Sequence, residues 1–228
     1  MYPFFFDSTM LFLIPALLFA FLAQMRVKST FERYSRVTTR RGMTADAVAR
    51  ALLERFGLKN IPIKHVSGRL TDHYDPRDKT LSLSDSVYGN ASIAAIGVAA
   101  HEVGHAIQDN EGYAPLMLRN NIVPVVNIGS SMAMPLFFVG FFLRGPFLMN
   151  IGILLFLGVI VFHLVTLPVE YNASSRAITI LGQTGALDSG ELRAAESVLG
   201  AAAWTYVAAT LMAVMQLVRL LALRNRRE

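Results

Sequence analysis

Apolar residues gather into four long runs separated by two polar stretches. The runs cover Pro3 to Met25 (with Asp7 near its start), Ile122 to Leu143, Phe147 to Val169 and Ala201 to Leu223. A helix rises about 1.5 Å per residue, so about 20 apolar residues cross a bilayer. Each run has that length and almost no charge, which predicts about four transmembrane helices rather than buried helices of a soluble domain. The second and third runs are joined by Arg144-Gly145-Pro146, a turn signal, and form an antiparallel hairpin. The first run lacks the basic residues that precede a cleaved signal peptide; instead Arg26, Lys28, Arg33, Arg36, Arg40 and Arg41 follow it. It reads as an uncleaved anchor with its N-terminus outside.

The polar stretches are Arg26 to Asn121 and Glu170 to Gly200, and four crossings put both on one side. The first carries signals of a small α+β unit. Val48, Leu52 and Leu53 have helical spacing after Thr44 and before Gly57. Ile61 to Val66 and Thr80 to Ser84 alternate as strands do, with Asp75-Pro76-Arg77-Asp78 as turn chemistry before the second. Asn90 or Ser92 can cap a helix from Ile93 to about Gln108.

Composition sharpens this picture. The chain has 228 residues, 54% hydrophobic and only 16% charged, with a mean hydropathy of +0.45. Soluble domains carry roughly a quarter charged residues. The net charge of +5 belongs entirely to Arg26–Arg41, where six Lys/Arg meet one acid, Glu32. This juxtamembrane segment suits anionic lipid headgroups, and nucleic acid drops out as a partner. The polar stretches hold fourteen and two Lys/Arg, against five on the other side (Arg144, Arg219, Arg224, Arg226 and Arg227), which favours the cytoplasm for the polar side. Only the basic tail dissents. With no cysteine, any metal is held by His, Asp or Glu.

The capped helix contains His101-Glu102-Val103-Gly104-His105. Positions i and i+4 share a helix face, so both imidazoles can reach one metal ion. Glu102 follows the first ligand, where its carboxylate can take a proton from water that the metal has made acidic. Two His, an acidic third ligand and one open position form the donor set of a catalytic zinc. Asp109 and Glu111 lie just past the helix as third-ligand candidates. Glu170 is the stronger one, because the hairpin returns the chain to the membrane surface there.

Three more side chains are candidates for transition-state or supporting roles. His163 precedes Glu170 by seven residues, close to two turns, with Pro168 between them. An ionisable group within a span is a functional candidate; the alternative is helix packing. His73, before the motif helix, is either an oxyanion donor or an exposed residue. Ser174, one turn past Glu170, can support a ligand from outside. The strand Thr80–Ser84 can offer a sheet edge to an extended peptide.

Three blocks now stand out: Leu70-Thr71-Asp72-His73-Tyr74-Asp75-Pro76, Val98 to Gln108 around the His-Glu motif, and Leu167-Pro168-Val169-Glu170-Tyr171-Asn172-Ala173-Ser174. Together with the order of spans, they resemble the YugP-type zinc-dependent membrane metallopeptidase family over nearly the whole chain. The third block is distantly similar to HtpX-like and CAAX prenyl proteases, whose corresponding Glu completes a zinc site. That implies the metal ligands His101, His105 and Glu170, with Glu102 as catalytic base. The chain departs from those patterns at Asn172, where the YugP pattern has an acid, and at Ser174, where distant relatives carry Asp.

The expected protein is an α-helical membrane protein with a small α+β zincin-like metallopeptidase domain. It divides into an anchor (1–25), a catalytic domain (26–121), a transmembrane hairpin (122–169), a third-ligand segment (170–200) and a last span with its tail (201–228). It is expected in the cell (inner or plasma) membrane as a multi-pass, gluzincin-like endopeptidase. One Zn2+ per chain, the bilayer and a membrane-associated or unfolded protein substrate are its expected partners. The alternative is a non-proteolytic scaffold with structural zinc. Intramembrane cleavage would pair the motif with an Asp-Gly in another span, and none has it. Metal transport would have only Asp7 and His163 as ligands within the spans.

Overall fold

A computed structural model describes residues 8–226; Pro3 to Asp7 of the first run, and Arg227 and Glu228 of the tail, lie outside the described residues. Among these, four helices are long and apolar enough to cross a membrane. A 3-10 segment, Ser8–Leu13, leads into α1 (Ile14–Tyr34). Then come α2 (Ala45–Arg55), β1 (Ile63–Val66), β2 (His73–Asp75), β3 (Thr80–Ser84) and α3 (Ile93–Asn110). Three long helices complete the chain: α4 (Ala114–Leu143), α5 (Pro146–Gln183) and α6 (Ser189–Asn225).

The chain divides into two compact units. One, the membrane unit, comprises residues up to Gln24, Met117–Leu167 and residues from Trp204 on. Its helices pack through small residues. A Cβ on Gly152 would stand 2.7 Å from the carbonyl oxygen of Ala133, so glycine here lets α4 and α5 approach backbone to backbone. Phe137, Met149, Ile153, Leu220 and Leu223 fill the adjoining core. Outward-facing Val125, Ile128 and Phe147 are each at least 70% exposed, a surface suited to lipid and not to water. The end of α6 meets the start of the chain: Arg219 donates to Thr9 Oγ1 and Arg226 to Ser8 Oγ. Arg224 donates to Asn150 Oδ1, near the start of α5. Among the described residues, the last turns of α6 thus lie beside Ser8 and Thr9.

The other, the polar unit, comprises Met25–Leu116 and Pro168–Ala203. Its sheet has the order β1-β3-β2, with β1 parallel and β2 antiparallel to β3. Ile63 and Tyr74 both register with Leu81. All five residues of β3 are buried, because neighbours flank both edges. That overturns the expectation of a peptide docking along Thr80–Ser84: alternation identified a strand, but β3 is the middle one, and the outer strands are β1 and β2.

Ser92 caps α3 by accepting from Ala95 N–H, and Asn90 Oδ1 in turn accepts from Ser92 N–H. The first side-chain bond satisfies one of the orphan donors of the first turn. Val48, Leu52 and Leu53 of α2 pack with Ile96 and Val103 of α3, Leu81 and Leu83 of β3, and Leu181 of α5 in one core. Helical structure outlasts the apolar runs. The stretch from Glu170 to Gly200 is not a separate element but the end of α5 and the start of α6, joined by a short turn with Gly185.

Candidate metal centre

His101 and His105 lie one turn apart on α3, their rings edge-on with centroids 4.7 Å apart. The Nε2 atoms of both converge on Oε2 of Glu170 from α5, at 3.3 Å for His101 and 3.5 Å for His105. Small residues permit this meeting of helices. A Cβ on Gly104 would lie 2.6 Å from the carbonyl oxygen of Ala173, so α3 and α5 touch where the motif has its glycine.

Each imidazole is also held from behind. His101 Nδ1 lies 3.1 Å from Ser174 Oγ, and His105 Nδ1 lies 2.9 Å from Gln108 Oε1. With both Nδ1 atoms engaged outward, the Nε2 atoms face the carboxylate. Zinc bonds of about 2.1 Å in a tetrahedron put donor atoms about 3.4 Å apart. The two His–Glu170 spacings match, and one atom from each of the three side chains lies within 4.8 Å of the others. Two imidazoles and a carboxylate suit zinc chemically as well.

Glu102 is buried and accepts from Tyr74 N–H at 3.0 Å. Burial pushes its carboxyl up to about 7; Glu170 and Asp72 add to the rise, while His101 and the Tyr74 N–H oppose it. A base near neutrality suits proton transfer from water. Tyr74 is clamped twice, since its hydroxyl donates to Asp109 Oδ2 at 2.8 Å, two turns beyond Glu102 on α3.

The other sequence candidates fall elsewhere. Asp109 serves Tyr74, and Glu111 pairs with Arg176 at 2.7 Å. His73 stands exposed on β2, with Nδ1 2.9 Å from the Thr71 carbonyl. His163 belongs to the membrane unit, edge-on to Phe162, and is not in the His-His-Glu group. Of the three, only Ser174 touches a member of the group. Gln108 and Tyr74 gained no role from sequence. Gln108 lies three residues after His105, a spacing that puts two side chains on one helix face.

Residues 9–225 match the sequence family described as "Putative neutral zinc metallopeptidase". The chain is 48% identical over 207 residues to a Bacillus subtilis (strain 168) protein named "Putative membrane protease YugP", covering 90% of this chain and 92% of that one. No solved structure matches.

Proposed function

The chain belongs to the neutral zinc metallopeptidase family, and from that premise we propose that it is a zinc-dependent endopeptidase working at the cytoplasmic surface of the cell membrane. One observation carries the reading: two imidazole nitrogens and one carboxylate oxygen meet beside a buried carboxyl tuned near neutrality.

In this reading His101, His105 and Glu170 hold one zinc ion. A bound zinc supplies Lewis acidity and makes water acidic near neutral pH. Glu102 takes a proton from the attacking water as the water oxygen bonds to the peptide carbonyl carbon. The same carboxyl then delivers that proton to the leaving nitrogen as the C–N bond breaks. The Tyr74 N–H keeps Glu102 oriented between these acts. Ser174 steadies His101. The substrate is a membrane-associated or unfolded protein, in keeping with the four apolar helices.

The test uses the full chain in micelles against casein and an unfolded membrane protein. Cleavage that a zinc chelator blocks and added zinc restores is the expected result. Zinc binding without cleavage of either substrate would favour the scaffold reading. Labelling single cysteines at the exposed Asn60 and Asn225 in inverted and right-side-out vesicles tests the orientation: Asn60 reacts from the cytoplasm and Asn225 from outside.

A further inference from the structure

We propose that Gln108 is a positioning residue for this centre: it dictates which nitrogen of His105 bears the hydrogen and so keeps Nε2 free for the metal. The inference rests on the metallopeptidase reading and adds to it the device that prepares one ligand in advance.

The hydrogen-bond network starts at Arg176, a group that can only donate. Arg176 Nε lies 2.7 Å from one side-chain atom of Asn172. A guanidinium has no acceptor, so that atom is the amide oxygen. Arg176 is itself fixed, bonded to Glu111 Oε2 at 2.7 Å and lying over the Tyr113 ring. The same Asn172 oxygen is 2.8 Å from an amide atom of Gln108, which therefore donates and is Nε2. That nitrogen is also 2.9 Å from the Val169 carbonyl, an atom that can only accept. Both of its hydrogens are thereby used, and the Gln108 amide cannot be turned over. Its oxygen must face His105 Nδ1, at 2.9 Å.

An oxygen there obliges Nδ1 to carry the hydrogen. Neutral imidazole has only one, so Nε2 is left as a bare lone pair directed at Glu170 Oε2. His101 contrasts with this. Its Nδ1 faces the Ser174 hydroxyl, which can donate or accept and prescribes neither form. Gln108 is fully buried, so no water substitutes for it. Its bonds to Val169 and Asn172 also tie the motif helix α3 to α5 beside Glu170.

The test compares Gln108→Glu and Gln108→Met in the full chain in micelles. Glutamate still accepts from His105 Nδ1 but turns an oxygen toward Val169 O and Asn172 Oδ1, where a donor is needed. Methionine keeps the bulk and loses every hydrogen bond. Three quantities are read: zinc affinity by chelator competition, the unfolding midpoint of metal-free protein, and the His105 tautomer by 15N NMR.

The expected result separates affinity from stability. Gln108→Glu lowers the midpoint yet keeps the Nδ1–H form and a zinc affinity near wild type. Gln108→Met loses the tautomer preference and binds zinc about 10- to 100-fold more weakly, the usual effect of removing such a partner. Affinities that fall in step with the two midpoints, or a Gln108→Met protein with wild-type affinity and tautomer, overturn the inference while leaving the metallopeptidase reading intact. Folded wild-type protein that binds no zinc overturns both.

Discussion

Replacing Gly104 by alanine adds one methyl at the contact between α3 and α5. Its Cβ would meet the Ala173 carbonyl oxygen at 2.6 Å, with the carbonyl carbon and Cα at 3.2 Å. All three are backbone, so no side chain can swing away. Ordinary contact begins near 3.4 Å, and α5 must retreat by about 0.8 Å. Two stability effects oppose each other. Alanine in a helix interior gains about 1 kcal/mol over glycine, while overpacking costs about 1–3 kcal/mol. The net loss is therefore modest, about 0–2 kcal/mol. The centre is less forgiving. Glu170 stands three residues before Ala173 on the helix that moves, and sites of this kind tolerate roughly 0.5 Å of misplacement. Zinc affinity, read by chelator competition, should fall about 10- to 100-fold, with cleavage falling alongside it. A Gly104→Ala protein with wild-type zinc affinity refutes the claim that this glycine sets the reach of Glu170.

Glu102→Gln should retain zinc and abolish cleavage, because its amide oxygen can still accept from Tyr74 N–H but cannot take a proton; wild-type turnover would discard Glu102 as the base. Zinc at about 100 times its dissociation constant should stabilise the protein by about 2.7 kcal/mol, a rise in unfolding midpoint that His101→Ala removes. Tyr74→Phe deletes the hydrogen bond to Asp109 and should cost about 1–3 kcal/mol in denaturant unfolding. Asp72 accepts from both Ser84 N–H and Ser84 Oγ, yet burial raises its carboxyl above the ordinary range. The folded state therefore binds that proton more tightly than the unfolded chain, and the stability it contributes is present at low pH and lost as pH rises through the folded pKa. Asp72→Asn should flatten that part of the midpoint-versus-pH curve; an unchanged slope would point to other groups.

Elements governed by local pattern were readable in the chain. Hydropathy located the spans, and Ser92 marked the start of α3 where the cap is found. Glu170 was reachable because the hairpin requires the chain to return. Non-local order was not readable. The alternation of Thr80–Ser84 is the same for a middle strand as for an edge strand, and only the pairing with both β1 and β2 distinguishes them. Helix ends differ for a related reason: apolar character stops at Val169, and Pro168 removes one N–H donor without ending the helix, so α5 runs on to Gln183. The support behind His105 spans 61 to 64 residues, from Gln108 to Val169 and Asn172. A glutamine three residues past a ligand announces no partner until that distance is closed.

The members of the His-His-Glu group stand far apart in the order of synthesis. His101 emerges from the ribosome 69 residues before Glu170, and both runs of the hairpin lie between them. At about 5–20 residues per second, roughly 3 to 14 seconds separate the two events. For nearly all of that interval the nascent chain carries Glu102 and both histidines without the Glu170 carboxylate that completes the group. The His-His-Glu group is therefore complete only after both runs of the hairpin have been made.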